Sequence, residues 1–145
     1  MNHSIRILLV DDNPTFLGVA GEFLQLQEGL EVVGAARNIA EALMHARELK
    51  PDVILLDMNM PGDSGLDAIP RLQKLSPETK IMILTMMQAE WYRSAALSAG
   101  AHDFIAKANI GSELLPAIRR VVQNRGQSSQ RDPKDISGGL GIEPA

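Results

Sequence analysis

The stretch DVILLD, residues 52–57, runs through four consecutive aliphatic residues onto a carboxylate, and MNMPG at 58–62 then brings a Pro-Gly turn signal. An apolar run without alternation suits a strand covered on both faces, as in a parallel sheet, better than a half-exposed one. A charge at the end of such a strand is costly unless it is paired, metal-bound or within reach of solvent. Asp57 therefore needs a use.

Working outward, similar short runs recur at IRILLV (5–10), EVVGAA (31–36), KIMILT (80–85) and HDFIAK (102–107). Segments with apolar residues three or four apart lie between them, such as Phe16, Ala20, Phe23 and Leu24, or Ile39, Leu43, Ala46 and Leu49. That spacing predicts helices. Five strands alternating with helices predict a doubly wound α/β domain, its parallel sheet covered on both faces through right-handed crossovers. Helix starts are expected at Asn13 before Pro14, at Asn38 three before Glu41, and at Ser64 three before Asp67. Pro70 conflicts with the third helix, and a kink or a late helix start is expected there.

The chain has 145 residues, 45% hydrophobic and 22% charged, enough for one domain with a real core. Its formal net charge of -4 offers no basic footprint for nucleic acid, so no direct nucleic-acid binding is expected. Cysteine is absent, which excludes disulfides and thiolate metal sites. The apolar run from Ile5 to Val10 is too short for a signal peptide or membrane span, so a cytoplasmic protein without membrane contact is expected. The glycosylation pattern at Asn2-His3-Ser4 is then a chance match. From Arg125 onward, Gly, Ser, Gln and Pro dominate, with only Ile136, Leu140 and Ile142 as larger aliphatics. The expected division is a folded domain over 1–124 and a flexible tail over 125–145.

In a parallel sheet all strands point their carboxyl ends one way, and ligands bind beyond those ends. Asp11 and Asp12, Asp57, Thr85 and Lys107 close four different strands and are predicted to converge on one rim. Taken alone, each has an ordinary use: the acid pair as a turn or cap, Thr85 as a strand residue, Lys107 as a solvated charge. Their joint placement is harder to explain that way. Three neighbouring carboxylates repel unless a cation offsets them, and hard oxygen ligands suit Mg²⁺ together with phosphoryl oxygens. Asp57 is then a candidate nucleophile toward phosphorus, with the metal, Lys107 and the Thr85 hydroxyl neutralising or binding the phosphoryl oxygens. His3, His45 and His102 lack metal-ligand spacing and are read as surface or packing residues.

The segments LLVDDNP (8–14), DVILLDMNMPGDSGLDAI (52–69), ILT (83–85) and GAHDFIAK (100–107) resemble, in order and spacing, the receiver domains of two-component response regulators over about residues 4–124. The resemblance implies a flavodoxin-like sheet in the order 2-1-3-4-5. Asp57 would be the phosphoacceptor, with Asp12, Asp57 and the backbone carbonyl of Asn59 on Mg²⁺ and Asp11 acting through a bound water. Thr85 and Phe104 would be the switch residues and Lys107 the phosphate-binding lysine. A histidine kinase or phosphotransfer protein would be the donor, and the domain would catalyse only its own modification. Added charge on Asp57 would draw Thr85 inward, Phe104 would rotate into the vacated space, and a surface around helix four, strand five and helix five, including Trp91 and Tyr92, would control a protein target. Whether activation pairs two copies is left open.

Two departures from the pattern stand out. Met86 and Met87 follow Thr85 where a small residue is common, and are expected to narrow access. Ala108 follows Lys107 where proline is usual, which favours a trans bond or a strained loop. As in receivers of transcription-factor response regulators, methionine follows the threonine. Among other classes, an Asp-nucleophile phosphatase would want an acid where Asn59 stands. A nucleotide or flavin module would want a phosphate loop that DDNPTF does not supply. A receiver-like interaction module that is never phosphorylated is the nearest rival.

Overall fold

A computed structural model describes residues 4–58, 60, 65–86 and 90–130, the last seven as helix backbone only. The strands are β1 (Ile5–Val10), β2 (Leu30–Ala36), β3 (Val53–Asp57), β4 (Lys80–Thr85) and β5 (Asp103–Ala106). They alternate with α1 (Pro14–Gln25), α2 (Ile39–Leu49), α3 (Gly65–Leu75), α4 (Glu90–Ala99) and α5 (Ile110–Gln130). All pairings are parallel, and the sheet order is β2-β1-β3-β4-β5.

The continuous apolar runs are explained by two cores, one on each face. Leu8, Val10, Ile54, Leu56, Ile81 and Ile83 point toward α2, α3 and α4. Their alternate neighbours Ile7, Leu9, Val53, Leu55, Met82 and Leu84 point toward α1 and α5. Successive side chains of a strand leave opposite faces, so a sheet buried on both sides needs aliphatics at every position.

Two helix starts follow the expected chemistry. Asn13 Oδ1 accepts the amides of Thr15 and Phe16, and Asn38 Oδ1 accepts that of Glu41. Glu41 returns its carboxylate to Arg37 N rather than to the Asn38 amide a capping box would use. Ser64 lies outside the described residues. Pro70 does not delay α3, which begins five residues earlier at Gly65; the ring sits on the exposed side of the helix interior. A Cβ on Gly65 would come 2.7 Å from Met58 Sδ, so the start of α3 approaches the chain after Asp57 more closely than a larger residue permits.

Strand five ends at Ala106, one residue short of expectation, because Lys107–Asn109 forms a 3₁₀ turn leading into α5. No peptide bond among the described residues is cis, so Lys107–Ala108 is trans. Helix α5 continues to Gln130, past the boundary expected at 124, and residues 131–145 lie outside the described residues. Among the described residues no helix is long and apolar enough to cross a membrane.

Candidate functional site

Register brings the predicted residues to one rim. Val10 pairs with Leu56, Asp57 with Leu84, and Thr85 with Ala106. Asp11 therefore follows β1 at the level of Asp57, while Lys107 follows β5 just past the level of Thr85. Adjacent strands lie about 4.8 Å apart, so these residues occupy one small patch.

One carboxylate oxygen from each of Asp11, Asp12 and Asp57 lies within 4.8 Å of the others. Lys107 Nζ is 2.6 Å from Asp11 Oδ2 and 3.6 Å from Asp57 Oδ1. The ammonium also lies 4.2 Å from the centre of the Phe16 ring, where the electron-rich face favours a cation. Asp11 is pinned at its other oxygen, Oδ1, by the amide of Asn13 at 2.9 Å. The turn that caps α1 thereby also aims the carboxylate. Asp11 and Asp57 are buried, at 2% and 4% exposure, Asp12 is half-buried, and Thr85 is fully buried.

Three clustered carboxylates, two of them buried and in contact with a single ammonium, bring more negative than positive charge together. A divalent cation is the natural complement, and an all-oxygen donor set suits a hard ion. The acidic pocket therefore fits the metal that the sequence implied. Asn59, expected to lend a carbonyl, lies outside the described residues.

Phe104, expected as a switch residue, has its ring buried at 8% exposure, edge-on to Tyr92 with 6.1 Å between centroids. The core beside α4 already encloses it. Met86, expected to narrow access, is 73% exposed and not packed into the cluster; Met87 lies outside the described residues. Of the α4 aromatics, Trp91 is 65% exposed, whereas Tyr92 is half-buried against the core.

The sequence reading missed the reach of Tyr92. Its hydroxyl points to the carbonyl oxygen of Met58, 3.4 Å away and one residue past Asp57. Burial, and then the charge of Asp57, push the phenol above its ordinary pKa. No local signal gives this, since the residues are 34 apart in the chain.

The family model for the response regulator receiver domain matches residues 7–119. An uncharacterized transcriptional regulatory protein of Bacillus subtilis, YvfU, is 36% identical over 121 residues, 83% of this chain and 60% of that protein. The chain thus spans about 60% of the length of this curated relative. A two-component response regulator of the LuxR family from Aurantimonas superposes with a TM-score of 0.80 at 30% identity, over 84% of this chain and 87% of that one. A response regulator from Burkholderia pseudomallei, solved with a phosphorylated aspartic acid, a calcium ion and citrate, matches with a TM-score of 0.73 at 28% identity, over 90% and 74%.

The expectation of no nucleic-acid binding is overturned. The Bacillus relative at 36% identity is described as a transcriptional regulatory protein, and the Aurantimonas structure at 30% identity as a LuxR-family response regulator. The relatives align through their receiver segment, so the charge of that segment does not decide contact with DNA.

Proposed function

This chain belongs to the response regulator receiver domain family, and from that premise we propose that Asp57 accepts a phosphoryl group from a phosphohistidine on a kinase or phosphotransfer protein. An Asp57 carboxylate oxygen attacks phosphorus, the phosphorus–nitrogen bond breaks, and the electron pair leaves with the donor's imidazole. The observation that carries this reading is the convergence of three carboxylates within 4.8 Å around a lysine that touches two of them. The phosphorylated aspartate and metal ion of the Burkholderia relative support it.

Asp11, Asp12 and Asp57 would hold Mg²⁺, which supplies positive charge to the phosphoryl oxygens when bound. Lys107 holds Asp57 in the reactive place and offers its ammonium to an oxygen of the incoming group. Thr85, fully buried at the end of β4, places its hydroxyl for another. The domain would act only on itself and pass its state to an output partner.

Incubation with acetyl phosphate and Mg²⁺ should give a single phosphoryl adduct by intact mass. It should vanish in Asp57→Asn and on chelation with EDTA. An adduct that survives the substitution would place the acceptor elsewhere. No adduct from either acetyl phosphate or a histidine kinase would favour the phosphorylation-independent interaction module.

A further inference from the structure

Tyr92 stands where three parts of the molecule meet. Its backbone belongs to the first turn of α4. Its hydroxyl points at the Met58 carbonyl at 3.4 Å, so it reaches the chain directly after the candidate phosphoacceptor. Its ring meets Phe104 of β5 at an interplanar angle of 81°, an edge-to-face contact.

Met58 is not free to follow the hydroxyl. Its amide donates to Leu84 O at 3.3 Å, its side chain is buried at 4% exposure, and the start of α3 closes on it at Gly65. The helix is the lighter partner: of α4 only Ala96 is fully buried, while Trp91 next to Tyr92 is 65% exposed. An O–H···O contact at 3.4 Å is also long, so a few tenths of an ångström of movement tighten or break it.

We infer that Tyr92 is the positioning residue through which added charge on Asp57 moves the first turn of α4, its hydroxyl answering the charge while its ring pivots on Phe104. Replacing a carboxylate by an acyl phosphate raises the local negative charge and adds three acceptor oxygens. The positive end of the phenol dipole is drawn toward them, and a part-buried contact feels that field more than a fully exposed one.

This inference rests on Asp57 as phosphoacceptor, and the test separates the two. The chain has one tryptophan and one tyrosine, so both probes are unambiguous. Trp91 lies 5.1 Å from Tyr92, ring centre to ring centre, and its fluorescence reports the first turn of α4. Beryllofluoride with Mg²⁺ serves as the phosphoryl mimic. It should shift Trp91 emission in the wild type, and Tyr92→Phe should bind it equally by fluorine NMR but lose most of the emission change. Equal emission changes in both proteins would overturn the inference and leave the acceptor reading standing. No binding to the wild type would overturn both. If Tyr92→Phe fails to fold, tyrosine labelled with carbon-13 at Cζ in the wild type decides: its single resonance should move on binding, and a stationary resonance refutes the role.

Discussion

The two ends of the sheet both bury polar side chains, but they satisfy them differently. At the amino-terminal edge each group is matched locally. Arg6 donates its guanidinium to the carbonyls of Leu49 and Lys50, closing α2 where Lys50 takes a left-handed φ of 46°. Asp52 accepts the Arg6 amide and gives its own to Arg6 O. Thr79 donates to Pro51 O at 2.6 Å and so accepts from Ser76, 2.6 Å away. At the carboxyl edge, Asp11 and Asp57 both meet Lys107, with the Asp12 carboxylate beside them. Polar residues that finish a fold find complementary partners, whereas those that serve chemistry are held with charge left over for a ligand.

Removing the lysine should break this contrast most strongly. Lys107→Met leaves the buried acids unneutralised and should cost about 3 kcal/mol or more, as breaking a buried pair does. Adding Asp11→Asn should recover most of the loss. Urea unfolding of the single and double variants measures both, and a neutral Lys107→Met would mean the cluster is less charged than its geometry implies.

The next effect concerns the metal. Mg²⁺ at a hundredfold over its dissociation constant should stabilise the wild type by about 2.7 kcal/mol. Asp12→Asn should lose most of this gain while folding normally. Thermal melts with and without the ion sharpen the comparison, because no variant of the opposite edge should alter the response.

At that edge, Thr79→Val should cost about 1–2 kcal/mol, since it strands the Ser76 hydroxyl and the Pro51 carbonyl. Uptake of acetyl phosphate should not change. A loss of phosphorylation without unfolding would show that the two ends are coupled.

The smallest effect is a slope with pH. Burial, and then the charge of Lys80, hold His102 below its usual pKa of 6.5. Its Nδ1 accepts the Ile81 amide at 3.0 Å, which needs the bare nitrogen. The unfolded chain therefore binds this proton more readily, and stability should fall as pH drops through 6.5 toward the lowered folded value. His102→Asn should flatten that part of the urea-midpoint profile. An unchanged profile would assign the slope to other groups.

Much of the architecture was legible because burial on both faces leaves an unbroken aliphatic run. β1 and β4 fall where the runs at 5–10 and 80–85 place them, and the others shift by one residue. Asp52 shows why boundaries slip: its side chain, not a further strand residue, takes the next amide of β1. Pro70 does not start α3 late, because Ile69 and Leu72 beside it are packed in the core while Pro70 itself is exposed.

By itself the sequence determined the alternation of strand and helix, the acids that close the strands, and the threonine and lysine that join them, since periodicity and residue chemistry are local properties. Only the tertiary structure decided that Lys107 leans nearer to Asp11, 96 residues away, than to Asp57. It also decided that Phe104 starts inside and that Tyr92 reaches the chain beside the acceptor. Those choices depend on distances between segments that meet only when the sheet closes, and no spacing along one strand or helix encodes them.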